Sequence, residues 1–382
     1  MPRRLALTSL CAALALLALP IAGASARSVP TGFFGANWDR DIRYKASPTV
    51  QLQAWDRMAQ VGVESQRTNF NWAAAQFYGP DQKFDWKHTT DPIVKLAAAH
   101  HIRLLPVVMT APEWARSRHK RNAPPSKRKA YAKYLVAAIK RYGPHGSFWK
   151  RHPELPKVGI RDWQIWNEPS EQYQWDIPSD RDWAPGYAKL LKIAYKAAKK
   201  ADPSVRIVLA GLPSRSWEYL AHLYDVGHIH GYFDIAAVHP FSAEKHGPLI
   251  IAKYFRKVMR ENKDGKKPLL VTETTLPASK GKAESQYGLE TTDAGMARFL
   301  TATYTDFMKN RKKLRIGRVY WETWASGYEG MLFDYTGLVR YRNDNGEEST
   351  KEMPALGAFE KLALRAEGCS KDVTGECTGS PP

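Results

Sequence analysis

The sequence predicts an α/β fold, a single (β/α)8 (TIM) barrel. Short β-rich runs alternate with longer helical patterns, and this unit occurs eight times without a Gly/Ser-rich linker between copies. Hydrophobic residues make up 43% and aromatic residues 12% of the 382 residues, which is enough to fill a large core. A doubly wound open sheet is the alternative, but no G-x-G-x-x-G motif follows an early strand.

The first four strand and helix units occupy the first half of the chain. Ser47 and Pro48 illustrate a predicted helix start, because Ser is a favoured N-cap and Pro fits the first helical position. The predicted strands cover 31–37, 63–69, 103–109 and 162–166, and the predicted helices cover 48–58, 90–100, 126–142 and 183–200.

Four further units complete the predicted barrel. Asp202 precedes Pro203, and the residue before a proline avoids the helical region, so the fourth helix ends there. The predicted strands cover 206–212, 233–239, 268–274 and 318–324, and the predicted helices begin at 217 and cover 249–261, 293–309 and 354–364. The barrel domain therefore spans 27–365, and residues 366–382 form a polar C-terminal tail.

Residues 1–26 have the pattern of a signal peptide. Arg3 and Arg4 precede an apolar run at 5–22, and Ala24-Ser25-Ala26 is a typical cleavage signal. The apolar run is short for a spanning helix and no second such run follows. We therefore expect a secreted, periplasmic or extracellular protein with no integral membrane segment after signal cleavage.

Two cysteines remain after signal cleavage, Cys369 and Cys377, and both lie in the tail. In an oxidising compartment we expect them to form a disulfide, the alternative being two free thiols. A zinc site is not expected, because no further ligands have suitable spacing.

The formal net charge is +19, to which the signal peptide contributes Arg3 and Arg4. Such a charge favours anionic surroundings, either an anionic glycan or a cell envelope. The densest basic segment, 116–129, contains few aromatic residues, and no nucleic-acid-binding motif accompanies it. We interpret it as a solvated loop and helix start, and we do not expect nucleic acid as a partner.

The segment 161–170 carries the first chemically distinctive motif. Its first half resembles a buried strand, and Pro169 ends that strand because proline lacks a ladder donor. Asn167 and Glu168 are thereby left at the carboxyl end of the strand, where α/β barrels carry their chemistry. The alternative is that Glu168 is merely a charge on a strand-ending turn.

A second carboxylate, Glu273, ends the predicted seventh strand. It follows the apolar and β-branched run 269–272, where a carboxylate is costly to bury unless it is paired or functional. In a closed barrel, strands four and seven face each other across the mouth, so Glu168 and Glu273 can approach. A separation of about 5 Å is typical of retaining glycosidases, and about 6.5–9.5 Å of inverting ones. A salt-bridged structural role for Glu273 is the alternative.

The tetrad Trp166-Asn167-Glu168-Pro169, together with Glu273, resembles the site of clan A retaining β-glycosidases over essentially the whole mature chain. The resemblance implies that residues 27–365 are a catalytic domain that cleaves β-glycosidic bonds of a poly- or oligosaccharide. It also implies Glu168 as acid/base and Glu273 as nucleophile. We expect no cofactor and no metal, because the histidine pairs 100/101 and 228/230 have no third ligand at a strand end. The alternatives are an inactive or envelope-binding carbohydrate-binding barrel, or a transglycosylase.

The resemblance assigns three polar positions that contact the substrate or the catalytic pair. Arg67, on the second strand, would keep the nucleophile ionised, because a nearby cation lowers a carboxylate pKa. Asn167 would bind the sugar 2-hydroxyl, and His239, on the sixth strand, would line the catalytic subsite. Three phrases favour a family-39-like branch, with a cellulase-like branch as the alternative: Gly35-Ala36-Asn37-Trp38, Ala111-Pro112-Glu113-Trp114 and His239-Pro240-Phe241.

Tryptophans are the expected sugar platforms, because exposed indole faces commonly stack on sugar rings. The resemblance implies Trp324 as the first candidate for the platform under the reacting sugar, with Trp321 second. Trp38 and Trp114 are candidates for further subsites, with core packing as the alternative for both. Two rival carboxylates, Glu322 and Glu113, lack the flanking motif.

Overall fold

The computed structural model describes residues 26–284, 287–327 and 330–382. The predicted signal peptide, apart from its last residue, lies outside the described residues. No helix within the described ranges is long and apolar enough to cross a bilayer.

Nine parallel strands form a curled sheet, which confirms the predicted (β/α)8 barrel. In chain order they are β1 (Phe34–Asn37), β2 (Ser65–Asn71), β3 (Arg103–Met109), β4 (Asp162–Ile165), β5 (Arg206–Val208), β6 (Leu212–Pro213), β7 (Ala236–His239), β8 (Leu269–Thr274) and β9 (Ile316–Trp321). Their order in the sheet is β5-β4-β3-β2-β1-β9-β8-β7-β6. β5 and β6 are two segments of the predicted fifth strand. Between these segments, the Leu209 N–H donates to the carbonyl of Ile235, the residue before β7 (2.9 Å). This contact closes the sheet into a barrel.

Helices surround the sheet and pack their apolar faces against it. They are α1 (Arg40–Lys45), α2 (Pro48–Gln60), α3 (Trp72–Ala75), α4 (Asp91–Ala99), α5 (Arg128–Tyr142), α6 (Ser147–Arg151), α7 (Trp183–Ala201), α8 (Ser216–Asp225), α9 (Gly247–Glu261), α10 (Asp293–Leu314) and α11 (Pro354–Glu367). The Ser47 hydroxyl accepts from the Val50 N–H (3.4 Å), so the predicted N-cap of α2 is confirmed.

Inside the barrel a small cluster of buried side chains separates the two ends. Each of its members is at most 3% exposed, and they come from five different strands and the residue before β7. Such a filled interior makes the barrel a packed core rather than a pore. The members are Leu105, Val208, Ile235, Ala237, Leu270 and Tyr320.

Elements that the sequence did not predict lie after the last barrel strand. β9 ends at Trp321, three residues before the predicted end of that strand. A small sheet follows, made of β10 (Ala325–Ser326), β11 (Val339–Asp344) and β12 (Glu347–Glu352), in which β11 and β12 pair as an antiparallel hairpin. Its residues are mostly polar, so the periodicity of a buried strand is missing.

The C-terminal tail packs against the amino-terminal end of the barrel. Cys369 and Cys377 form the predicted disulfide, with Cα atoms 5.6 Å apart, and it links the ends of a short hairpin. Lys371 bridges the Glu64 and Glu367 carboxylates at 2.9 Å and 2.6 Å. Arg27 also pairs with Glu64, at 2.6 Å, so one carboxylate holds the first described residues and the tail together.

Candidate active site

The turn after β4 aims the Glu168 side chain into the barrel mouth. Both Trp166 (φ 65°) and Glu168 (φ 40°) adopt left-handed backbone conformations, which cost of order 1–3 kcal/mol each and occur mainly at functional sites. Hydrogen bonds hold this turn, because the Trp166 N–H donates to the Val108 carbonyl and the Glu168 N–H donates to the Gly211 carbonyl, each at 3.1 Å.

Both carboxyl oxygens of Glu168 have hydrogen-bond partners. Oε1 lies 2.7 Å from Nδ1 of His239, which is fully buried at the end of β7. Oε2 accepts from the Tyr173 hydroxyl at 2.5 Å. The His239 ring fits only because residue 211 is glycine, since a Cβ there would lie 1.9 Å from Nε2. Gly211 therefore positions both the Glu168 backbone and its histidine partner.

Glu273, on β8, is bonded to a buried arginine. The Arg67 Nη1 donates to Glu273 Oε1 at 2.8 Å. The remaining guanidinium nitrogens are also occupied, with Nη2 donating to Asn167 Oδ1 (2.6 Å) and Nε to Gln164 Oε1 (2.9 Å). Arg67 thus connects β2, β4 and β8, and it fixes Asn167 and Glu273 relative to each other.

The structure brings Glu168, His239 and Glu273 together at the mouth. One polar side-chain atom from each lies within 4.8 Å of the others, and His239 Nδ1 is 3.6 Å from Glu273 Oε2. These three types of side chain also ligate metals. Here, however, one oxygen of Glu273 already bonds the permanently charged Arg67, and Tyr173 donates to Glu168. The set therefore suits a shared proton better than a metal ion.

The two carboxyl groups differ in their electrostatic surroundings. Burial raises the pKa of Glu168 to about 7, although the Tyr173 hydroxyl and the Arg67 charge oppose the shift. Burial raises the pKa of Glu273 as well, and the directly bonded Arg67 opposes it. Burial lowers the pKa of His239 to about 3, so its ring is neutral at physiological pH. The direct cationic partner of Glu273 favours its ionised form, whereas burial favours the protonated form of Glu168.

A cavity of about 780 Å³ opens above the pair. Its polar lining is strongly acidic, and Arg67 is the only lysine, arginine or histidine among the described lining residues. This is the opposite of the +19 charge of the whole chain. The lining carboxylates are Asp39, Glu168, Glu171, Glu244, Glu273 and Glu322.

None of the candidate tryptophans is among the described residues that line this cavity. Trp38 and Trp324 are each 1% exposed, and the Trp38 ring packs edge-on against Trp55 at 5.6 Å. Trp114 packs against Trp72 (5.4 Å), and its indole N–H donates to a backbone carbonyl. The structure thus places all three in hydrophobic packing rather than at the cavity. Trp321, the second candidate, is fully buried.

The two rival carboxylates lie in different places. Glu322 lines the cavity, is 5% exposed and accepts a hydrogen bond from the Asn37 amide. Glu113 has a side chain 62% exposed, lies outside the described cavity lining and bonds His119. Glu322 therefore belongs to the site as a lining residue, and Glu113 does not.

Two residues that contact Arg67 or Glu168 were not predicted from sequence. Gln164, on β4, is fully buried and accepts from Arg67, and the alternation of side chains along the strand could have indicated its inward position. Tyr173 lies in the loop after the motif and is 59% exposed. No periodicity marks this tyrosine, because its position depends on the left-handed turn at Trp166 and Glu168.

No protein-family model matches the chain, and no curated protein matches it in sequence. Among solved structures it is similar to a family 39 glycoside hydrolase from the gut symbiont Bacteroides cellulosilyticus WH2, at 17% identity and a TM-score of 0.63, covering 89% of this chain and 64% of that one. It is also similar to a monomeric β-xylosidase from Caulobacter crescentus CB15, at 16% identity and a TM-score of 0.62, covering 90% and 70%. The chain shares their fold.

A third similar structure is an α-L-arabinofuranosidase from Thermotoga maritima, at 13% identity and a TM-score of 0.58, covering 88% of this chain and 71% of that one. The chain therefore spans about two thirds of the length of these enzymes, and 64% of the first. The similar structures are glycoside hydrolases of several types, including families 39, 30 and 51. At sequence identities of 13% to 17%, the structural similarity establishes the fold but does not select one glycoside hydrolase family.

Proposed function

We propose that this chain is a retaining β-glycosidase, with residues 27–365 as its catalytic domain. The observation that carries the proposal is the approach of the Glu168 and Glu273 carboxyl oxygens to within 4.8 Å at the barrel mouth. A retaining enzyme needs this short spacing, whereas inversion needs room for water between the carboxyl groups. The glycoside hydrolases that share the fold support the same activity.

In the first step of the proposed mechanism, Glu168 is the acid. Its Oε2 faces the cavity, because Oε1 is held by the fully buried His239. The Oε2 proton passes to the glycosidic oxygen, and the bond from the anomeric carbon to that oxygen breaks. Glu273 attacks the anomeric carbon and forms a glycosyl ester, and the leaving group departs as an alcohol. Arg67 keeps Glu273 ionised for the attack.

In the second step Glu168 acts as a base. Its carboxylate takes a proton from water, whose oxygen attacks the anomeric carbon while the bond to Glu273 breaks. Two displacements at one carbon restore the original configuration. The pKa of Glu168 falls once Glu273 is esterified and uncharged, so the same group suits both steps.

The lining charges restrict the proposed substrate. Five carboxylates besides the protonated Glu168, against Arg67 alone among the described lining residues, would repel an anionic sugar. We therefore assign a neutral or amine-bearing β-glycan to the cavity. An anionic glycan or envelope, which the overall charge favours, would contact another surface. The disulfide supports an oxidising location, in keeping with the proposed export.

Digestion of a glycan panel tests the proposed function. We expect release of shorter products, identified by mass, from at least one neutral or amine-bearing β-glycan, and no release from polyuronic acids. Product anomers followed by NMR from the start of the reaction should keep the β configuration. Absence of turnover on every glycan and aryl β-glycoside would instead support a sugar-binding barrel.

Tyr173 provides a test through pH dependence. Its hydroxyl bond to Oε2 lowers the pKa of Glu168, so Tyr173→Phe should raise that pKa above about 7. Activity needs protonated Glu168 and is lost as pH rises through its pKa. The alkaline limb of kcat/KM should therefore move to higher pH, by up to about one unit, the worth of one hydrogen bond.

Tyr287→Phe is the matched control, because Tyr287 lines the same cavity but is not a partner of Glu168. Its alkaline limb should coincide with that of the wild type. An unchanged limb in Tyr173→Phe, or an equal shift in both variants, would contradict the role of the Tyr173 hydroxyl.

A further inference from the structure

A second cavity, of about 600 Å³, lies at the amino-terminal end of the barrel. Arg103 begins β3, Arg206 begins β5 and Arg161 directly precedes β4, so all three belong to the end opposite the catalytic pair. Along β4, Arg161 and Glu168 are separated by roughly 20 Å at the rise of an extended chain. The cavity is therefore distinct from the proposed active site.

The lining of this base cavity is strongly basic. Five lysines and arginines line it with two histidines, His101 and His145, against a single carboxylate, Asp162. The five are Arg103, Lys157, Arg161, Arg206 and Arg318. An arginine cannot lose its charge within a protein, so these groups repel one another unless an anion lies among them.

The one lining carboxylate is already fully engaged. Arg206 donates to both oxygens of Asp162, at 2.7 Å and 2.9 Å, and Arg318 lies 2.9 Å from the same group. Asp162 is 2% exposed, so this trio is a structural part of the barrel base. Among the described residues, no carboxylate forms an ion pair with Arg103 or Lys157.

One of these unpaired cations, Arg103, lies near the paired Arg318. The Arg103 Cδ and the Arg318 Nε lie 3.6 Å and 3.5 Å from the point where a Cβ on Gly32 would stand. Gly32 also has φ 88°, a conformation that favours glycine. The missing side chain thus leaves space between two arginines from β3 and β9, and Arg103 is exposed to solvent.

We propose that the base cavity binds a ligand carrying at least two phosphate groups. Arginine forks match phosphate oxygens in bidentate geometry, and such charge-assisted bonds are the strong ones. The cavity is larger than one small anion requires. Its cations come from separate strands and loops, so several anionic groups can be bound at once. A phosphate-rich polymer or a small polyphosphate supplies this chemistry equally well. An anionic ligand at this site would complement the positive charge of the chain. The acidic active-site cavity would repel the same ligand.

Calorimetric titration of the full chain with tripolyphosphate tests the proposal, with inorganic phosphate and a poly(glycerol phosphate) as further probes. We expect saturable binding of tripolyphosphate that weakens as salt rises. The double variant Arg103→Gln, Lys157→Gln should bind at least tenfold more weakly. It leaves the Asp162 trio intact, and its hydrolysis of an aryl β-glycoside should be unchanged. If the poly(glycerol phosphate) also binds tightly, the natural ligand is a phosphate-rich polymer. If it does not bind, the natural ligand is a small polyphosphate.

The matched control is Lys253→Gln, Lys361→Gln, which removes the same charge from exposed positions on α9 and α11. Its affinity should stay within twofold of the wild type. Three results would overturn the proposal: no saturable binding, an equal loss in the control, or equally tight binding of inorganic phosphate. The thermal midpoints of both variants show whether either substitution damages the fold.

Discussion

Glu273→Gln is expected to lower hydrolysis of an aryl β-glycoside by about 10⁴-fold or more, the scale on which loss of a nucleophile acts. The amide keeps the shape of the side chain and can still contact Arg67, so the fold should be retained. It cannot form the glycosyl ester, and that loss affects every substrate whatever its leaving group. The measurement is kcat/KM together with the thermal unfolding midpoint.

Glu322→Gln is the matched control, because Glu322 is a second buried carboxylate of the same cavity. We expect it to retain far more activity than Glu273→Gln. Trapping with a 2-fluoro glycoside adds a direct readout, since the slowly hydrolysed intermediate labels the nucleophile. Peptide mapping should locate the added mass on Glu273. A label on Glu322, or on any other residue, would refute the assignment.

The barrel was predictable from sequence because its determinants are local. Buried parallel strands such as β3 and β8 are continuous apolar runs, and the helices between them repeat with a helical period. The hairpin of β11 and β12 was not predictable on this basis. Its residues are largely exposed and polar, so register and pairing come from the turn at Asn345 and Gly346 rather than from burial.

The approach of Glu168 and Glu273 was predictable because each carboxylate lies at a strand end, and barrel geometry brings strand ends together. The tryptophan platforms were not, because an indole ring suits a core as well as a sugar cavity. Trp38 packs against Trp55, a contact that depends on where α2 lies over β1. The acidic lining also escaped sequence analysis, since its residues come from distant loops. Only the folded chain shows that the two ends of the barrel differ in charge.

Glu168→Ala is expected to separate the two steps of the proposed mechanism. Hydrolysis of glycosides with poor leaving groups should fall by about 10²–10⁴-fold, the usual contribution of general acid catalysis. An activated aryl glycoside needs no proton, so its first step should be largely spared. The second step still lacks its base, so a burst of phenol followed by slow turnover should appear in rapid-mixing kinetics. The pH–rate profile of the first step should no longer fall above about pH 7, because the titrating Glu168 carboxyl is absent.

Added azide should restore turnover of Glu168→Ala, because a small anion fits the space that the carboxylate leaves and needs no base. Azide attacks the glycosyl ester from the face that Glu168 occupied, so the glycosyl azide should have the β configuration. Glu171→Ala, which removes a neighbouring carboxylate of the cavity, should show no azide effect. Failure of rescue would remove Glu168 from the acid/base role. An α-azide would show direct displacement without a covalent intermediate, as in an inverting enzyme, and would contradict the short carboxyl spacing on which the proposal rests.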